Sequence, residues 1–206
     1  MNVESSQFDN VTDADLLLAY ASGDSQAFSI IVRRYKNRLF AFLYQMTNST
    51  NDADDLFQET FIRVHRFAKD FDKSRQFRPW LFAIAVNAAR DFFRKKSRSP
   101  ILLESNLISD SKSILADAVD KENCKKNDSQ QNLVNQQDKV NVQNIVESLP
   151  ADLHEVLILS YFAELPYSDI AEILNIPVGT VKSRVNRAIK KLAEKYNRIH
   201  QDSQNG

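Results

Sequence analysis

Glu164-Leu-Pro-Tyr-Ser-Asp-Ile-Ala-Glu-Ile-Leu-Asn-Ile-Pro-Val-Gly-Thr-Val-Lys-Ser-Arg-Val-Asn-Arg-Ala-Ile-Lys-Lys-Leu192 is the stretch from which the architecture can be read. Apolar residues recur at helical spacing on either side of Asn175-Ile-Pro177, which predicts two helices joined by a tight turn. Ser168 is the expected N-cap of the first, with Asp169 and Glu172 near the positive end of its dipole. Ile170, Ala171 and Leu174 form its apolar face, and small Ala171 permits close approach of the next helix. The second helix is expected to bury Val181, Val185, Ile189 and Leu192. Its opposite face carries Thr180, Lys182, Ser183, Arg184, Asn186 and Arg187. A helix that enters a major groove end-on needs this set: base edges meet the first turns and phosphates meet the flanking cations. Arg184 and Arg187 have the fork for a guanine edge and Asn186 the amide for adenine. Gly179 leaves room for backbone to approach DNA. An ordinary amphipathic hairpin with a solvated basic face is the plainer alternative, but only the second helix is basic.

Charge is segregated in the same way over the whole chain. The formal net charge of zero would suit no particular partner. Residues 61–98, however, hold eleven Lys and Arg against Asp70, Asp72 and Asp91, and residues 178–199 hold seven against Glu194 alone. Residues 1–27 and 144–177 carry acids and no Lys or Arg. Lopsided blocks create local fields that phosphates feel even when the total cancels.

The N-terminal half repeats the helical period. One stripe runs Leu16, Leu17, Tyr20, Phe28, Ile31, Val32, Tyr35, Leu39, Phe42 and Leu43. A second runs Ala53, Leu56, Phe57, Thr60, Phe61 and Val64, and a third Trp80, Leu81, Ile84, Ala85, Ala88, Ala89 and Phe92. The cluster from Thr47 to Asp52 supplies N-cap side chains for the second, and Pro79 suits the first position of the third. Residues 98–137, rich in Ser, Asn, Asp, Gln and Lys, cannot bury enough apolar surface to offset their ordering entropy. The expected organisation is therefore all-α, with two small helical domains at 12–97 and 140–198 joined by a flexible linker at 98–139. Three glycines and five prolines are too few for a many-stranded β protein. No apolar run is long enough to span a bilayer, and residues 1–10 do not resemble a signal peptide, so a cytoplasmic setting is expected. Cys124 stands alone, without metal-ligand spacing or a disulfide partner.

Two further surfaces carry candidate chemistry. Asp52, Asp54, Asp55 and Glu59 crowd the front of one helix beside Gln58. Clustered carboxylates suit a hard cation, but Asp52, Asp55 and Glu59 form a stripe with no acid–base partner beside it. A docking face for a basic partner is expected rather than a metal site. The block 71–98 interleaves Phe71, Phe77, Trp80, Phe82, Phe92 and Phe93 with Lys73, Arg75, Arg78, Arg90 and Arg94, as single-stranded nucleic acid requires. Trp80 and Phe92 read as core, and the loop 71–77 as the grip for an unpaired base.

Asp52-Ala-Asp-Asp-Leu-Phe-Gln-Glu-Thr-Phe-Ile-Arg-Val64, Phe77-Arg-Pro-Trp-Leu-Phe-Ala-Ile-Ala-Val-Asn-Ala-Ala-Arg-Asp91, Leu149-Pro150 and the helical pair above together resemble the extracytoplasmic-function sigma factors of the sigma-70 family. The resemblance covers residues 12–98 and 140–196. It implies a region 2 bundle and a region 4 helix-turn-helix in a transcription initiation factor that is not an enzyme and needs no metal or cofactor. Core RNA polymerase would be met at its clamp helices by Asp52, Asp55, Gln58 and Glu59, and at the flap of the neighbouring subunit by region 4. Phe71, Lys73, Ser74, Arg75, Phe77, Asn87, Arg90 and Arg94 would contact the −10 element of promoter DNA. Thr180, Lys182, Ser183, Arg184, Asn186 and Arg187 would read the −35 element. An anti-sigma factor is a further implied partner. Two rivals remain at this point: a conventional helix-turn-helix regulator, and a metal-dependent nuclease built on the acidic stripe.

Overall fold

The computed structural model describes residues 11–98 and 143–204, which fall into two compact units and contain no strand. The expected linker lies outside the described residues except for Arg98, the last residue of a helix. Cys124 lies outside them too.

The first unit contains α1 (Asp13–Ala21), α2 (Ser25–Thr47), α3 (Thr50–Phe67) and α4 (Phe77–Arg98), with a 3₁₀ turn at Ala68–Asp70. Short polar side chains set the starts. Thr12 accepts from the Asp15 N–H, Asp24 from the Gln26 and Ala27 N–H groups, and Ser49 from the Asp52 N–H. Asn48, in the left-handed region at φ 51°, stops α2 and turns the chain into α3. α4 begins at Phe77, two residues earlier than Pro79 suggested. Pro79 costs nothing there, because the first four N–H groups of a helix have no intrahelical acceptor. The apolar stripes converge on Leu16, Leu17, Ile31, Leu39, Phe42, Leu43, Leu81 and Phe82, all fully buried. Phe42 and Phe82 meet edge to face at 5.2 Å.

Asp13 latches α1 to α2. Its Oδ1 accepts from Arg34 Nη1 at 2.7 Å and its Oδ2 from the Tyr35 hydroxyl at 2.6 Å. Burial and then the Asp13 carboxylate push the Tyr35 phenol far above its ordinary range, so it remains a neutral donor.

The second unit has a helical segment at 143–147, then α5 (Ala151–Tyr161), α6 (Tyr167–Leu174) and α7 (Val178–Gln204). α5 and α6 both pack on α7. Ser168 is not the N-cap of α6. The Pro166 carbonyl already accepts from the Asp169 and Ile170 N–H groups, so the helix starts at Tyr167 and the Ser168 hydroxyl turns to the Asp169 carboxylate. Asn175 ends α6 at φ 53°, and the Ile176 N–H returns to the Ala171 carbonyl. α7 buries Val181, Val185 and Ala188, whereas Ile189 is 42% exposed. Val181 and Val185 thus hold the expected stripe and Leu192 is half-buried, but Ala188 takes the place expected of Ile189, which faces away from α5 and α6. No helix among the described residues is long and apolar enough to cross a membrane.

His154 on α5 makes the second unit acid-sensitive. Its Nε2 is buried with no hydrogen-bond partner among the described residues. Burial lowers its pKa below the ordinary 6.5, and the nearby Glu155 carboxylate offsets only part of this. The unfolded chain therefore takes up a proton that the folded unit refuses, and stability falls as pH drops through and below that ordinary value. Hydrogen exchange of the α5 and α7 amides is expected to accelerate from about pH 7 to about pH 5, after correction for intrinsic exchange. His154→Gln should flatten that dependence; an unchanged slope would show that another group titrates.

Candidate nucleic-acid interface

The loop before α4 is held from inside. Phe71 and Phe77 are 6% and 3% exposed, and Phe71 packs against Trp80 at 4.9 Å and Phe77 at 6.1 Å between ring centres. Phe77 also meets Tyr35 of α2 at 5.4 Å. With their faces occupied, the two rings expected to touch DNA anchor the loop instead. Between the two rings the loop presents Asp72, Lys73, Ser74, Arg75 and Gln76 to solvent. Asp72 shapes this tip: its Oδ1 accepts from the Ser74 N–H at 2.9 Å and its carbonyl from the Arg75 N–H at 2.9 Å. The bonds from Ser74 hold its carboxyl below the usual carboxylate range.

Beyond the loop, Asn87, Arg90 and Arg94 stand on one exposed side of α4 at i, i+3 and i+7. The other side is core, with Leu81, Ala85, Ala88 and Ala89 buried. Loop tip and helix face together carry four bases, Lys73, Arg75, Arg90 and Arg94, and two neutral hydrogen-bonding side chains, Ser74 and Asn87. Cations and hydrogen-bonding side chains side by side are the chemistry that suits phosphate and base contacts to a strand.

On α3 the acidic stripe is exposed at Asp55 and Gln58 and half-buried at Asp52 and Glu59. Lys96 Nζ lies 3.1 Å from Asp52 Oδ2, and Arg63 Nε donates to Glu59 Oε1 at 2.7 Å. Arg63 also reaches Asp91 of α4 at 3.2 Å. Burial works against the charge on Arg63, but Glu59 and Asp91 outweigh it and raise its pKa. Among the described residues no three His, Cys, Asp or Glu side chains are grouped to hold a metal ion. Sequence reasoning missed Ile62, 50% exposed and in line with Asp55 and Gln58. Its i+7 register from Asp55 was the available signal, an apolar residue on the polar side of the helix.

In the second unit Lys182, Ser183, Asn186 and Arg187 are exposed on the first turns of α7. The Ser183 hydroxyl donates to the Thr180 carbonyl at 3.0 Å, and Arg187 Nε to the Ser183 carbonyl at 3.3 Å. No atom stands within 4 Å of where a Cβ on Gly179 would be, so this end of α7 is open. Thr180 is half-buried, as is Arg184. Arg184 Nε sits 3.5 Å from Asp152 Oδ2 of α5, so this guanidinium is turned toward its own unit.

The family model for Sigma-70 region 2 matches residues 31–99, and that for Sigma-70 region 4 matches residues 139–192. The chain is 34% identical over 191 residues to the ECF RNA polymerase sigma-E factor of Haemophilus influenzae, covering 91% of this chain and 96% of that protein. It is 35% identical over 170 residues to the ECF RNA polymerase sigma factor SigW of Bacillus subtilis, covering 80% and 86%. Among solved structures, the sigma factor RpoE of Bartonella quintana, crystallised with the anti-sigma factor NepR, superposes with a TM-score of 0.62 at 25% identity, covering 82% of this chain and 96% of that one. CnrH, solved with the cytosolic domain of CnrY, has the same fold at a TM-score of 0.63 and 24% identity, over 88% and 95%. Two basic helical faces, one in each unit, the acidic outer face of α3, and these matches in the same order along the chain lead to one assignment: the chain belongs to the extracytoplasmic-function RNA polymerase sigma factors of the sigma-70 family.

Proposed function

We propose that this sigma factor, which directs core RNA polymerase to promoters, divides the work between its units in the following way. Asp52, Asp55, Gln58 and Glu59, joined by Ile62, dock on the clamp helices of the largest polymerase subunit, while the second unit sits on the flap of its neighbour. Lys73, Ser74, Arg75, Asn87, Arg90 and Arg94 hold the unpaired strand of the −10 element, and Phe71 and Phe77 stiffen the loop that presents the first three. Lys182, Ser183, Asn186 and Arg187 read the −35 major groove; Thr180 and Arg184 shape and brace the helix behind them.

The observation that carries this reading is the exposed set Lys182, Ser183, Asn186 and Arg187 at the open end of α7, opposite a buried stripe. The chain supplies position and the polymerase supplies the chemistry, so no catalytic residue is assigned and the place of work is the cytoplasm. Extruding a base costs a few kcal/mol, which strand contacts offset. Once one unit is bound the second contact becomes intramolecular, which raises joint affinity without any new interaction. A partner that covers these charged faces, as an anti-sigma factor would, silences both contacts at once.

Purified chain added to core polymerase should start transcripts at discrete positions on genomic fragments of its own organism, whereas the chain alone should bind the same duplexes weakly. Tight, sequence-specific duplex binding without polymerase would identify a conventional regulator instead.

A further inference from the structure

The acidic stripe of α3 is not presented bare. Asp52 holds Lys96 at 3.1 Å, and Glu59 holds Arg63 at 2.7 Å. Arg63 passes to Asp91 at 3.2 Å, and Asp91 to Arg94 at 2.9 Å. Two of the three stripe carboxylates therefore already engage cations of this chain. Lys96 belongs to the basic end of α4, Arg94-Lys-Lys-Ser-Arg98, and its ammonium also lies 5.4 Å from the centre of the Phe92 ring. Asp55 differs: it is exposed and forms no ion pair with the described residues.

We infer that Lys96 is an intramolecular competitor, holding Asp52 until a cation of the polymerase displaces it, so that docking releases Lys96 toward the DNA backbone. The inference rests on the docking role proposed for α3. Its physics is competition: the Lys96 ammonium sits on Asp52 Oδ2 and, as a like charge, repels a second cation approaching the same carboxylate. The Asp52 and Lys96 side chains are 23% and 40% exposed, so water and salt already weaken the pair and a better-placed cation can replace it. The consequence is linkage. Internal pairing lowers the affinity of the free chain for either partner, and each partner, once bound, favours the other to the same extent. Polymerase docking thereby adds one phosphate contact to the DNA surface of α4.

A plain brace between α3 and α4 predicts the opposite sign. Removing a brace loosens α3 and weakens docking, whereas removing a competitor strengthens it. With the full-length chain, Lys96→Gln should bind core polymerase about two- to fivefold more tightly at low salt, the range of one surface ion pair. Lys96→Arg, which restores the pair, should return affinity to the wild-type level. Polymerase carrying Lys96→Gln should also show a shallower salt dependence on a mixed-sequence duplex, by about one phosphate. Equal or weaker polymerase binding by Lys96→Gln overturns the inference. Asp55→Arg separates the two layers of the argument: it should weaken docking by about fivefold. If it does while Lys96→Gln gives no gain, the docking face stands and the competitor falls. If Asp55→Arg has no effect, the docking face itself is wrong and the inference goes with it.

Discussion

Phe71→Ala is expected to lower the stability of the first unit by about 3–5 kcal/mol, the cost of deleting a buried phenyl ring. The ring is 6% exposed and packs against Phe77 and Trp80, so its loss leaves a cavity bounded by two further aromatics. Those neighbours anchor both the loop and the start of α4, and neither can collapse into the space without moving the backbone that carries Lys73, Ser74 and Arg75. Urea unfolding followed by the fluorescence of Trp80, the only tryptophan, reports directly on this cluster. The result should be a lower midpoint with an unchanged slope. A ring stacked on an extruded base would behave otherwise, with normal stability and lost promoter opening. That second pattern would overturn the placing of Phe71 inside the unit.

Arg187→Ala should cost about 1–3 kcal/mol of discrimination at one position of the −35 element, or roughly five- to 150-fold in relative promoter use. The side chain is exposed, and its Nε donates to the Ser183 carbonyl at 3.3 Å. That bond fixes the plane of the guanidinium and leaves the two Nη groups as the fork that a guanine edge accepts. Arg187→Lys is the instructive partner, because it keeps the charge but loses the fork. Transcription from promoters randomised at each −35 position should show both variants losing preference at the same base, with the salt dependence lowered only in the alanine form. Uniform weakening over all sequences would mean that Arg187 touches phosphate and reads nothing. Arg184→Ala should act differently. Its guanidinium leans on Asp152, so the loss should appear in the stability of the second unit before it appears in base preference.

Residues with strong local chemistry declared their places in the sequence. Pro166, Asn175 and Pro177 bracket the paired helices, and the conformations found at Asn175 and around the two prolines are those such residues favour. Ser49 and Asn48 similarly separate α2 from α3. Errors arose where two choices were locally equivalent. Ser168 and Pro166 both suit a helix start, and the Pro166 carbonyl prevailed by closing the first turn itself. Ile189 and Ala188 are adjacent on α7, and hydrophobicity favours burial of the isoleucine. The close packing of α5 and α6 admits the small residue instead.

The chain's own letters determined the helical class, the turn between α6 and α7, the separation of acidic from basic helices and the family, because each depends on spacing and composition within a few residues. Tertiary packing decided which aromatic rings turn inward, as Phe71 and Phe77 do, and which charges meet, as Asp52 and Lys96 do across 44 positions of sequence. The physical reason is that helical period specifies which residues share a face, whereas burial and ion pairing depend on what stands opposite that face, and no local rule carries that information.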